Sequence, residues 1–365
     1  MSLTKKTGTV ILFLIIVLSM MSGCELSPVT SEKSSEPKVF MTQSDFTSGL
    51  LQWMTIDEQL VKDQGFSIYD DSKVKTYNGM VYILECFGAD NIIKYDPSAN
   101  SAGGIRYQFH LGDNYNPQDI EFVNDSKAYI VNMNNPSITI FNPSTKAVVG
   151  SIDISAYTYM KDSNTTPYAN AVELSGTNLY VMLQRRNGTK PGAPTLILKI
   201  NTITETIVDT IPLKYKDGFA MKAADGMLYV TNPGSAYSIG DGGIEVVNLS
   251  DNTVKEVISE TVFGGNPNNL EHKSGTVFYV TKYIGWKNVP VVEMDLSTGT
   301  TIGTVPGVKD AFGGICYDKR DGILYVGERD SLDCGIRIFK NNIQQGNVVK
   351  GAKGLPPTSL AIIND

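Results

Sequence analysis

Histidine is nearly missing from this chain of 365 residues: there are two, His110 and His272, far apart in sequence. So little imidazole rules out a histidine-built metal cluster, and no H-E-x-x-H or C-x-x-C run points to a transition metal. A C-x-x-C-H haem attachment run is also missing, as is the G-x-S-x-G elbow of a hydrolase. Beyond residue 24 no apolar run reaches the 18 or so residues of a membrane-spanning helix. Positive charge is in deficit, with a net of -7. Nucleic-acid binding needs Lys and Arg clustered on one face, so an acidic chain is a poor candidate for it. The carboxylates do not pair usefully either. Asp70-Asp71 and Asp57-Glu58 are neighbours in sequence, and adjacent strand residues face opposite ways. Gly240-Asp241-Gly242-Gly243 enters a strand rather than a helix, so it reads as a turn and not as a phosphate cradle. These absences argue against an enzyme and against a resident cofactor. Calcium held by carboxylates and loop carbonyls stays open, because such sites need no fixed motif.

Two features organise what is present. The first is the N-terminus. Lys5 and Lys6 precede an apolar run, Val10 to Met21, which ends at Ser22-Gly23-Cys24. A basic start, a short apolar core and small residues before a cysteine form an export signal, and the arrangement resembles the bacterial lipobox. That resemblance implies cleavage before Cys24, diacylation of Cys24 and attachment to a membrane, since two chains anchor stably where one does not. Glu25 to Pro37 is polar and rich in Pro and Ser, so it reads as a flexible tether. The expected organisation is a signal peptide over 1–23, a lipidated tether over 24–38 and a folded body over 39–365. The location this implies is the cell envelope, at the outer membrane or cell surface. Three cysteines remain in the body, Cys86, Cys316 and Cys334. An odd number permits at most one internal disulfide, and free buried thiols are an equal alternative.

The second feature is a repeat. Aromatic-plus-aliphatic strands recur at Val81-Tyr82-Ile83, Ala128-Tyr129-Ile130, Leu179-Tyr180-Val181, Leu228-Tyr229-Val230, Phe278-Tyr279-Val280 and Leu324-Tyr325-Val326, their tyrosines 46 to 51 residues apart. Val39-Phe40-Met41 fills the same slot 42 residues ahead of Tyr82. Around each anchor lie a short strand before it and two alternating strands after it, separated by Gly, Pro, Asn and Asp turns. Four short period-2 strands per unit define a propeller blade. The predicted fold is therefore all-β: a seven-bladed β-propeller of four-stranded blades. Residues 39–62 supply three strands of one blade, and Pro356 to Ile363 supply its first, so the C-terminal strand closes the ring and removes free edges.

The Tyr-Val anchors, with turns such as Asp96-Pro97 and Asn142-Pro143-Ser144-Thr145, resemble the bacterial YVTN/YncE-like seven-bladed propellers over nearly the whole body. Lipid-anchored members of that group capture cobalamin and pass it to an outer-membrane transporter. The resemblance thus implies a corrinoid or similar nutrient as ligand and a transporter as partner. Fold alone does not determine function. An interaction scaffold in an envelope complex is the alternative from another class, and a lactonase-like or quinoprotein-like enzyme is a third.

Propeller sites favour the face carrying the loops from second to third strand and from fourth strand to the next blade. Four second-to-third loops are long: 184–194, 232–243, 283–289 and 327–335. They hold Arg185, Arg186, Tyr237, Tyr283, Trp286 and Arg329, and inter-blade loops add Phe109, His110, Tyr115, Tyr157, Tyr159 and Tyr168. Aromatics with Arg are the residue types enriched where ligands and partners bind. The innermost strands place Asp119, Asn170, Lys222, Asn269 and Ser359 at the channel mouth, as candidate polar contacts.

Overall fold

A computed structural model describes residues 37–55, 60–61, 65–99, 101–159, 165–236, 240–351 and 353–363. The leader, Cys24 and residues 25–36 lie outside the described residues, and so does Tyr237. The described strands form seven antiparallel sheets. The seven innermost strands are Ser72–Tyr77, Pro117–Asn124, Ala169–Ser175, Ala220–Ala224, Asn266–Ser274, Ile315–Asp318 and Pro357–Ile362. Each touches the next, and the last returns to the first. The protein is a seven-bladed β-propeller.

Local chemistry explains the blades. The turn from first to second strand is Asn78-Gly79 in one blade and Asp225-Gly226 in another, with positive φ at both residues of each. Two-residue turns of this kind match the twist of the strands they join. Second strands are buried on both faces: Met80–Glu85 and Lys127–Asn132 each bury every residue after the first. They sit between other strands of their own sheet and are covered by the neighbouring blades on both sides.

The core is correspondingly divided. Among the described residues seven apolar clusters occur, each built from two adjacent blades. The repeated tyrosine is what each of six blades inserts, and all six are buried. Burying an aromatic side chain is worth roughly 1.5–3 kcal/mol, so the repeat amounts to one such anchor per interface. Four anchors also lie under a lysine ammonium, at 5.6 Å for Tyr82, 5.5 Å for Tyr129, 5.9 Å for Tyr180 and 5.2 Å for Tyr279. In the first blade Phe40 takes the slot, packed with Trp53 and Tyr95.

Ring closure follows the expectation. Pro357–Ile362 pairs antiparallel with Pro37–Ser44, from Val39 opposite Ile362 to Gln43 opposite Pro357. Thr42 Oγ1 and Thr358 Oγ1 share a hydrogen bond of 2.9 Å across the seam. The fourth strand of this blade runs further than residue 62. It comes in two pieces, Leu60–Val61 and Phe66–Ile68, both paired to Gly49–Thr55. Cys86, Cys316 and Cys334 are unpaired, and Cys316 is on a first strand while Cys334 precedes the third strand of the same blade.

Candidate functional site: a cavity on the loop face

A cavity of about 740 Å³ opens on the face that carries the long loops. This is within the roughly 300–1,000 Å³ typical of small-molecule sites. Its aromatic lining is Phe46, Phe219, Tyr283, Trp286 and Phe312, its cations are Arg186, Lys190, Lys287 and Arg329, and its carboxylates are Asp217, Asp241 and Asp310. Asn266 and Asn268, at the start of an innermost strand, add amide groups.

Two walls differ in character. On one, the guanidinium carbon of Arg329 lies 5.1 Å from the Phe312 ring centroid. Phe312 in turn meets Tyr283 edge-on, with centroids 6.5 Å apart. The Arg329 backbone N–H donates to Asp310 O at 2.9 Å, but its side-chain Nε is shut off from solvent with no acceptor among the described residues. On the other wall, Arg186 is engaged by its own protein. Its Nη2 donates to Thr189 O at 2.8 Å, and its Nε is 3.3 Å from Asp217 Oδ1. Burial pushes the Asp217 carboxyl up to about 6, with Arg186 pulling it down and Asp241 pushing it further up. Burial likewise raises the Asp310 carboxyl.

Buried carboxylates hold these loops in shape. Glu328 is fully buried and accepts from the backbone N–H groups of Lys309 at 3.1 Å, Asp310 at 2.8 Å and Asp330 at 3.2 Å, and from Arg337 Nε at 2.9 Å. Glu260, also fully buried, accepts from Gly240 N–H, from Asp241 N–H at 2.8 Å and from Asn266 Nδ2 at 3.1 Å. The glycine-rich segment is thus a turn gripped by a carboxylate. Phe219 is positioned from below, where Asn170 Nδ2 donates to its carbonyl at 3.1 Å. Gly218 before it has no room for a Cβ, which would fall 2.4 Å from Met182 Sδ and 2.8 Å from Thr195 Cγ2.

Four of the sequence-derived candidates therefore meet at one cavity: Arg186, Tyr283, Trp286 and Arg329. Arg185 is outside its lining. Its backbone is left-handed, with φ of 51°. Tyr115 packs on the apolar cluster that contains Leu111 and Phe122, while Tyr168 sits in a left-handed turn at φ 58°. Neither lines the cavity. Tyr157 and Phe109 likewise pack against apolar clusters, Phe109 against Phe141 with centroids 5.4 Å apart. Tyr159 lies against Gly192, and His110 is within hydrogen-bonding distance of Ala89 O, Asn91 and Asp113.

The channel residues have protein partners of their own. Lys75 Nζ is 3.0 Å from Asp119 Oδ1 and 2.9 Å from Glu121 Oε2. Burial disfavours the Lys75 ammonium, yet Asp119, Glu121 and Glu173 outweigh it and raise its pKa. Lys222 is held charged chiefly by Glu173 and then by Glu271, against burial. The Asn269 backbone N–H donates to Thr281 Oγ1 at 2.8 Å, and Ser359 Oγ accepts from Val74 N–H at 3.3 Å. Sequence reasoning missed Phe46, Phe219 and Phe312. The last two lie in inter-blade loops of the C-terminal half, the same loop class that drew attention to Tyr115 and Tyr168 earlier in the chain.

Neither a protein-family profile nor a curated protein sequence matches the chain. Solved structures do resemble it. A chain of Kuenenia stuttgartiensis hydrazine synthase superposes with a TM-score of 0.62 at 14% identity, covering 86% of this chain and 98% of that one. A putative 6-phosphogluconolactonase from Bacteroides fragilis gives 0.62 at 16% identity, over 92% of this chain and 100% of the other. The computationally designed Ika8 protein gives 0.56 at 10%, over 89% and 90%. At such identities the likeness is one of fold.

Proposed function

We propose that this chain is an exported, lipid-anchored binding protein that captures a small molecule in the cavity on its loop face. The observation that carries the reading is the wall in which Arg329 lies over Phe312 and Phe312 meets Tyr283 edge-on, in a cavity of about 740 Å³ that Trp286 also lines. Aromatic faces with fixed polar groups are what a ligand of mixed apolar and polar surface needs. A corrinoid, flat-faced and rich in amides, is the first ligand to test, and an outer-membrane transporter the first partner. The decisive experiment is a thermal-shift screen of the mature protein against corrinoids, haem, siderophores, sugars and Ca²⁺. A ligand at 100 times its Kd stabilises by about 2.7 kcal/mol, readily seen as a rise in Tm. No shift with any of these ligands overturns small-molecule capture. Anchoring is tested separately: Cys24→Ser should move the protein from the membrane fraction to the soluble one.

A second reading, a docking scaffold for an envelope protein, has its own support. Phe46, Phe87, Ile284, Trp286 and Leu332 are exposed large apolar residues, and all lie in second-to-third-strand loops on this one face. Crosslinking in intact membranes to one discrete partner, lost on Trp286→Ala, would favour it over capture.

A further inference from the structure

Resting on the capture reading, the charges around the cavity narrow the class of ligand. Its three carboxylates are turned toward their own chain. Asp217 pairs with Arg186, Asp241 Oδ1 accepts from Ser235 N–H at 2.8 Å, and Asp310 Oδ1 accepts from Phe312 N–H at 3.3 Å. Arg186 is occupied by Asp217 and by the Thr189 carbonyl. Arg329 differs from all of these. Its guanidinium makes no hydrogen bond and no ion pair within 4 Å among the described residues. Its guanidinium carbon lies over the Phe312 ring, 5.1 Å from the centroid, and its Nε is closed off from water. A guanidinium held over a ring in this way keeps its Nη hydrogens, which can meet a carboxylate or phosphate in parallel hydrogen bonds. Beside it stand Tyr283 and the strongly exposed indole of Trp286, flat surfaces with few polar atoms.

We infer that the cavity takes a ligand that combines a flat, π-rich ring system with an oxyanion, either carboxylate or phosphate. The ring lies against Phe312, Tyr283 and Trp286, and the oxyanion meets the edge of Arg329. Lys190 and Lys287 at the rim raise the local concentration of such an anion, an effect that salt screens.

The test uses three probes on the full chain by calorimetry: flavin mononucleotide, riboflavin and inorganic phosphate. The first has ring and oxyanion, the second the ring alone, the third the oxyanion alone. The expected result is that flavin mononucleotide binds at least tenfold more tightly than riboflavin, and that phosphate alone binds more weakly than either. Arg329→Gln should bring the two flavins to within about twofold by weakening only the phosphorylated one, and Arg329→Lys should restore part of the preference. The emission of buried Trp53 reports whether each variant is folded. Equal affinity for the two flavins, or a preference that survives Arg329→Gln, overturns the oxyanion assignment while leaving the capture reading intact. If no probe binds and the thermal-shift screen is also flat, both readings fall together.

Discussion

Arg329 lies over the ring of Phe312, its guanidinium carbon 5.1 Å from the centroid, although the two residues belong to different loops. One buried carboxylate joins those loops. Glu328 accepts backbone N–H groups from Lys309 and Asp310 on the Phe312 side and from Asp330 next to Arg329, while pairing with Arg337. The cation–π contact is therefore held from beneath, and its geometry depends on a residue that no ligand would touch.

Glu328→Gln should be costly. Arg337 is buried as well, so the change removes its buried counter-charge and leaves it only the more exposed Asp333, 3.2 Å away. Breaking a buried pair in this way typically loses about 3–5 kcal/mol. Urea denaturation of the variant should show a loss in that range. A loss below about 1 kcal/mol would mean that the loops have another brace.

Asp217 gives the protein a pH signature. Its folded pKa, raised to about 6 from 3.8, means that the folded state holds this proton more tightly than the unfolded one. The associated stability is fully present below about pH 4 and is lost as pH rises through 6, with little further change above. Its size is at most roughly 3 kcal/mol, at 1.36 kcal/mol for each tenfold change in proton affinity. Asp217→Asn should flatten the fall in stability between pH 4 and 6, read from denaturation midpoints across that range. An unchanged slope would assign the fall to other buried acids such as Glu173 and Glu271, which burial also raises.

The chain's two tryptophans offer a built-in probe. Trp53 is 0% exposed and Trp286 77% exposed. Acrylamide should quench about half the fluorescence readily and the rest poorly. Trp286→Phe should remove the accessible component, with stability changed by no more than about 0.5 kcal/mol, as for other surface substitutions. A single quenching population in the unmodified protein would contradict the burial of Trp53.

Closure of the ring can be tested at its seam. Deleting residues 356–365 exposes the edge of Pro37–Ser44 and uncovers Ser72–Tyr77, both of which pack on the final strand. An open sheet edge pairs with other molecules, so the truncated chain should lose cooperative unfolding and aggregate. Thr358→Val removes only the hydroxyl bond to Thr42 and should cost about 0.5–1.5 kcal/mol. Cooperative, monomeric unfolding of the truncated chain would show that the other six blades suffice.

Some of the site was legible before the structure. Long loops on one face located Arg186, Tyr283, Trp286 and Arg329. Loop reasoning also nominated Arg185, Tyr115 and Tyr168, which have the right chemistry but lie outside the cavity lining. Tyr115 packs instead on the apolar cluster of Leu111 and Phe122. Asp119 and Asn170 were legible as polar residues on innermost strands, but not as the partners of Lys75 and of the Phe219 carbonyl.

The sequence by itself determined the blades, their number and the closing strand. Strand alternation, two-residue turns and the tyrosine anchor are settled by residues within a few positions of one another, and the same solution recurs about every fifty residues. The cavity was decided only by the tertiary structure. Phe46 and Arg329 share it because the last strand returns to the first blade and brings the two ends of the chain to one mouth. Pairing and direction across such separations depend on which blade packs on which, and on the turn at each loop tip.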